Sequence, residues 1–113
     1  MEGSMSGRVQ RTRQFSDWYE ALHPKQKRIV DSRIGRFEEQ GLLVGCKPLV
    51  KEIGLFEFKW RSGMRVYFSL TLTVDGRLMI LLIGGNKNSQ AKDINSAKKL
   101  LLRAWSVNNE KED

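Results

Sequence analysis

The chain has 113 residues, 40% of them hydrophobic and 29% charged, with 20 Lys and Arg against 13 Asp and Glu. This length fits one domain around one core, and the balance excludes a disordered polyelectrolyte. The formal charge of +7 favours a polyanionic partner, whether RNA, DNA or an acidic protein, although charge alone fits a merely well-solvated surface equally well.

Cys46 is the only cysteine, so no intramolecular disulfide forms, and a lone thiol fits a reducing cytosol. The longest apolar run, Leu78 to Ile83, is too short to cross a bilayer, and the first residues lack the apolar stretch of a signal peptide. The expectation is a cytoplasmic protein with no membrane partner, no metal and no cofactor. Residues 1–7 are small and polar and read as a leader outside the fold. Residues 8–105 read as the single domain, and 106–113 as a polar, frayed tail.

In chain order, Arg8 to Arg13 reads as a first exposed strand. Phe15, Trp18, Tyr19 and Leu22 form the apolar stripe of a short helix. His23-Pro24 interrupts it, and a second helix runs from about Lys25 to Gln40 with Ile29, Val30, Ile34 and Phe37 as its buried stripe. Gly41 closes that helix. The period then changes. Leu49 to Ile53 is a plausible strand. Leu55 to Arg61 alternates, with Phe56, Phe58 and Trp60 on one face. Ser62-Gly63 is a turn, and Met64 to Leu70 alternates again, with Met64, Val66, Phe68 and Leu70 inward. Asp75-Gly76 marks another hairpin, and Arg77 to Ile83 has the apolar character of a strand covered on both faces. Gly84-Gly85 closes that strand. A last helix starts near Ser89, striped by Ala91, Ile94, Ala97, Leu101 and Trp105. This order predicts an α+β fold: an antiparallel sheet of four to five strands, an N-terminal αα-hairpin and a C-terminal helix, with the helices packed on one face of the sheet.

The other face of the central hairpin collects Glu57, Lys59, Arg61, Arg65 and Tyr67. A carboxylate, cations and a phenol supply what metal-free RNA cleavage needs. A base takes the ribose 2′-OH proton, cations stabilise the pentavalent phosphorus, and a donor protonates the leaving 5′-oxygen. The arginine fork matches two phosphate oxygens. By alternation alone, a solvated strand face with a cross-strand pair such as Glu57–Arg65 explains the same residues better.

Several short segments, taken in order, alter that balance. Gly63-Met64-Arg65-Val66-Tyr67-Phe68 resembles a strand of RelE/ParE-superfamily toxins, in the subgroup of addiction-module killer proteins related to RelE and HigB. Phe15-Ser16-Asp17-Trp18, Arg33-Ile34-Gly35-Arg36, Lys47-Pro48-Leu49 and Gly84-Gly85-Asn86-Lys87-Asn88-Ser89-Gln90 with Asp93-Ile94 resemble further family segments in the family's order, across roughly residues 8–101. The resemblance implies a RelE-like fold and the toxin of a toxin–antitoxin pair, a metal-independent endonuclease of mRNA on the ribosome, held inactive by a cognate antitoxin. It implies Arg65 at the scissile phosphate, Lys59 and Arg61 for charge and RNA positioning, Glu57 as general base, Tyr67 for orientation or stacking, and Lys87 near the leaving group. Arg33 and Arg36, with Arg61, are candidate RNA contacts. The sequence departs from the family in three ways: it has no Tyr or His after Lys87, its Arg61-to-Arg65 hairpin is short, and Asn86 replaces the commoner aspartate. Two other readings therefore stand beside the nuclease: a ParE-like inhibitor of DNA gyrase, and a non-enzymatic module that binds RNA or antitoxin. His23 reads as a capping or surface residue rather than a catalytic one. Gly84-Gly85 reads as a strand-ending turn rather than a phosphate cradle.

Overall fold

The computed structural model describes the backbone of residues 7–112 and the side chains of residues 7–104. Residues 1–6 of the expected leader, and the side chain of Trp105 on the expected helical stripe, lie outside those described. The elements are β1 (Gly7–Arg11), α1 (Arg13–Glu20), α2 (Pro24–Gln40), β2 (Cys46–Val50), β3 (Leu55–Lys59), β4 (Met64–Thr73), β5 (Gly76–Asn86) and α3 (Gln90–Glu112). Single 3-10 turns occur at Lys51–Ile53 and Lys87–Ser89. The fold class is the expected α+β. The strand expected at Leu49 to Ile53 instead lies at Cys46–Val50, and the 3-10 turn takes the remainder. The backbone of α3 continues to Glu112, through the segment read as a polar tail.

Capping chemistry sets the helix boundaries. The Thr12 hydroxyl accepts from Phe15 N at 3.0 Å and donates to Leu82 O at 2.6 Å, so the cap of α1 is also tied to β5. His23 Nδ1 accepts from Lys25 N at 3.2 Å, and Gln26 Oε1 accepts from His23 N at 3.1 Å. This reciprocal cap starts α2 beside Pro24 and gives His23 the capping role expected of it. Gly41, at φ 70°, ends α2 in the left-handed conformation that glycine adopts without strain.

The sheet order is β1-β5-β4-β3-β2. β1 runs parallel to β5, and the other pairs are antiparallel. The sheet is therefore mixed, because the αα-hairpin carries the chain away between β1 and the rest. One face packs Phe58, Val66, Phe68, Met79 and Leu81 under Phe15 of α1 and Val30, Ile34 and Phe37 of α2. Each of these large side chains contributes roughly 1.5–3 kcal/mol on burial. Ile29 does not join them; it is 41% exposed on the outer side of α2.

The opposite face is covered as well. Leu55, Tyr67, Leu78, Ile80 and Leu82 pack with Ala97 and Leu101 of α3. The helices thus occupy both faces, not one as expected. The doubly apolar β5 already carried this information: a strand needs apolar residues on both sides only if both sides are covered. A register shift in β5 opposite Tyr67 and Phe68 re-phases that strand. It turns Gly84 towards Trp18 and Gly85 towards Asp93.

Candidate active site

The polar residues of the central hairpin meet as the alternation predicts. Glu57 on β3 is the cross-strand partner of Tyr67 on β4, and Lys59 is the partner of Arg65. On the other side of β3, Lys47 pairs with Glu57. Four strand positions around Glu57 therefore point to the α3 face.

That face is closed rather than an open concave surface. Glu57 and Tyr67 are fully buried, and Arg65 is 7% exposed. The Glu57 carboxylate receives Gln90 Nε2 at 2.8 Å, faces Arg65 Nε at 3.7 Å, and has Lys47 Nζ 4.0 Å from its other oxygen. Arg65 Nη1 donates to Met64 O at 3.1 Å and to Trp60 O at 3.4 Å. These bonds hold the Ser62–Gly63 turn against the strand. The first turn of α3 caps the cluster, with the Ser89 hydroxyl bonded to the buried Asp93.

The other expected residues divide into two groups. Lys59, Arg61 and Lys87 are exposed around the rim. Lys47, Lys59, Arg61 and Trp60 line an open pocket of about 380 Å³ at the ends of β2 and β3. The Lys87 stem runs along Gly63 at the hairpin turn. Arg33 and Arg36 are not brought to Glu57, since α2 packs on the other face of the sheet. Arg33 is moreover engaged structurally. Its Nη1 donates to Lys59 O at 2.7 Å and Gly45 O at 3.1 Å, and its guanidinium lies 4.2 Å from the Trp60 ring centroid. Burial, with Arg36 nearby, lowers the Arg33 pKa from its usual value.

No family model matches the chain, and no curated protein matches it by sequence. The architecture does have a solved counterpart. A chain in the crystal structure of the toxin–antitoxin complex RelBE2 from Mycobacterium tuberculosis superposes with a TM-score of 0.51 at 20% identity, covering 70% of this chain and 95% of that one. The chain has a RelE-like fold.

Within that RelE-like fold, α3 contributes residues that alternation on the strands does not reveal. Gln90 and Asp93 stand in helical register with Ile94, Ala97 and Leu101, so two polar residues share the buried stripe; Ala91, expected there, is exposed. Polar residues in phase with an apolar stripe were the available signal. Lys47, opposite Glu57 on β2, was missed because the strand was expected at Leu49 to Ile53, which leaves Lys47 outside it. The two glycines of β5 are explained by close packing rather than by a turn or a phosphate. A Cβ on Gly84 would enter the Trp18 ring, and one on Gly85 would meet Asp93. Among the described residues, no three His, Cys, Asp or Glu side chains gather closely enough to hold a metal. No helix of the described residues is long and apolar enough to cross a membrane.

Tyr67 provides a test of the closed cluster. Its hydroxyl is buried without a hydrogen-bond partner. Burial first, then the Glu57 and Asp93 charges, push its pKa well above the usual phenol value. A raised folded-state pKa means that stability is intact below about pH 10, where the unfolded phenol titrates, and falls as the pH rises further. Tyr67→Phe is expected to gain about 1 kcal/mol at neutral pH by removing the unsatisfied group. It is also expected to weaken the alkaline loss. Urea unfolding at neutral pH and above about pH 10 checks both, and an unchanged alkaline limb in the variant counts against this environment.

Proposed function

We propose that the chain is the toxin of a toxin–antitoxin pair: a metal-independent endonuclease that cuts mRNA on the ribosome and is neutralised by an antitoxin protein. The observation that carries this reading is the Glu57 carboxylate set between Arg65 and Lys47, beside the exposed Lys59, on a RelE-like fold. In the proposed reaction, Gln90 swings off Glu57, and Glu57 takes the proton of the ribose 2′-OH. The 2′-oxygen attacks phosphorus, Arg65 and Lys59 stabilise the added charge, and the 5′-oxygen leaves with a proton from the Lys87 side. Arg61 and Lys47 hold the flanking phosphates, and Tyr67, the cross-strand neighbour of Glu57, packs beside it. No metal or cofactor takes part.

Induced expression in bacteria is the direct test. Growth should stop, and primer extension should find cut transcripts in translating cells but not in RNA alone. Lys59→Ala, at an exposed position, should lower cleavage on the order of tenfold or more while leaving stability within about 0.5 kcal/mol. Intact growth and intact mRNA at high expression would refute the nuclease.

The burial of Glu57 and Arg65 in one ion pair favours a second reading, a binding module that has kept the scaffold without the chemistry. It predicts salt-sensitive ribosome association with no cut transcripts. A gyrase inhibitor gains nothing from a carboxylate set between cations, and supercoiling assays distinguish it from both.

A further inference from the structure

A pocket of about 220 Å³ opens where the corner between α1 and α2 meets the Ser62–Gly63 turn and the end of β5. Trp18, Leu22 and Met64 supply its apolar part, and the exposed Gln26, Ser62 and Asn86 its polar part. Each polar oxygen already accepts from the backbone. Gln26 Oε1 accepts from His23 N at 3.1 Å, and Ser62 Oγ from Met64 N at 3.4 Å. Asn86 Oδ1 accepts from Asn88 N at 2.8 Å and Ser89 N at 3.3 Å. A backbone N–H only donates, so these bonds fix which amide atom is oxygen. The Gln26 and Asn86 NH2 groups and the Ser62 O–H have no acceptor among the described residues. No carboxylate lines the pocket. Its remaining polar capacity is therefore chiefly that of a donor.

We infer that this pocket receives a keto base of RNA, guanine in preference to adenine or cytosine, from the nucleotide on the 3′ side of the cut. Guanine presents two adjacent acceptors, O6 and N7, on one edge. Adenine sets an amino donor beside N7, and cytosine presents an amino donor. Two amide NH2 groups match the first edge and meet the others donor to donor. Uracil, with O4 alone, ranks second. Trp18 lies against β5 because Gly84 has no side chain to hold it off, and its indole gives a base a surface for stacking. The pocket is smaller than the roughly 300–1,000 Å³ that whole ligands occupy, and it fits one heterocycle. Asn86 adds a separate argument. An aspartate would cap the 3-10 turn at Lys87–Ser89 equally well, so the amide contributes only its donor.

The place given to the base rests on the nuclease reading; the preference for guanine does not. Met64 pairs with Asn86 and Arg65 with Gly85, so the pocket and Arg65 share one end of the β4–β5 pair, on its two faces. Lys87, on the leaving-group side, follows Asn86 and runs along Gly63 at the turn between those faces. The leaving 5′-oxygen belongs to the nucleotide 3′ of the cut. That nucleotide therefore passes the turn and sends its base towards Trp18.

The first test is an amide NMR titration of the full chain with guanosine 5′-monophosphate and, separately, adenosine 5′-monophosphate. Shifts are expected at Trp18, Leu22, Gln26, residues 62–64 and Asn86, with the guanine nucleotide bound at least about fivefold more tightly. Gln26→Glu and Asn86→Asp keep an oxygen for each cap and remove only the donor. After circular dichroism has verified their folds, each should bring the ratio of the two affinities to about one or below. An effect of charge alone lowers both affinities and leaves the ratio unchanged. The second test is primer extension in a translating extract on transcripts that differ at a single base. Cuts should fall 5′ of G, and the two variants should lose that preference. Equal binding of the two nucleotides, or a ratio that survives both variants, overturns the inference. Transcripts cut without regard to the following base overturn it too, while the nuclease reading stands. Transcripts that stay whole while the titration succeeds overturn the nuclease reading and the 3′ placement, and support the guanine pocket.

Discussion

Arg65→Ala is expected to cost roughly 3–5 kcal/mol of stability and to remove any growth arrest. The stability loss has a specific origin. Arg65 is the cation facing the fully buried Glu57 on β4, and it also binds two backbone carbonyls at the hairpin turn. Without it, Glu57 keeps Gln90 and the solvent-exposed Lys47 but loses its one buried counter-charge. A buried carboxylate left in that state carries its desolvation cost uncompensated. From the strand pattern alone the same substitution would leave the fold intact, because alternation places Arg65 on a face taken to be open. Urea unfolding of the purified variant decides the matter, and a change below about 1 kcal/mol would remove Arg65 from the packing described.

Loss of toxicity in Arg65→Ala then has two explanations, a damaged fold or a missing phosphate ligand. A double variant, Glu57→Leu with Arg65→Met, separates them. Replacing both members of a buried pair by apolar groups of similar size is close to neutral for stability. The double variant is expected to regain most of the loss, yet to lack the base and the phosphate ligand. By comparison with the removal of a transition-state donor, the chemical deficit is about 2–4 kcal/mol of barrier for Arg65 alone. A folded double variant that still arrests growth would exclude both catalytic roles.

Much of the architecture is legible in the sequence because its signals are local. The αα-hairpin follows from the Phe15–Trp18 and Val30–Ile34–Phe37 spacings and from His23-Pro24. The central hairpin follows from strict alternation around Ser62-Gly63, which also put Glu57, Lys59, Arg65 and Tyr67 on one face. What alternation cannot tell is whether a face is wet. Tyr67 and Glu57 read as outward residues and are the most buried polar groups of the sheet. The reason lies some 30 residues later, where α3 returns over that face and brings Gln90 to Glu57 (a separation of 33 residues). Ile29 is the converse case. It shares the period of a buried stripe but falls at its margin, and no neighbouring element covers it. Arg33 and Arg36 were readable as basic helix residues, but their distance from Glu57 depends on which side of the sheet α2 packs, a long-range property. The parallel pairing of β1 with β5 is of the same kind.

Gly85→Ala is expected to destabilise the protein by about 2–3 kcal/mol and to loosen the cap over Glu57. Gly85 sits opposite Arg65 on the sheet, directly beneath the first turn of α3. A Cβ there would overlap Asp93 Oδ2 and lie 2.9 Å from Asp93 Cγ and 2.9 Å from Ser89 Oγ. Asp93 is 7% exposed and bonded to Ser89, so it has little room to withdraw. The first turn of α3 must therefore lift, and Gln90 leaves Glu57 with it. Amide hydrogen exchange in residues 90–94 should accelerate in the variant by more than global unfolding accounts for, because the strain is local. Asp93→Ala in the same background removes the main obstruction and should recover a large part of the exchange protection. Wild-type stability and wild-type exchange in Gly85→Ala would mean that α3 is not held against the sheet by this contact.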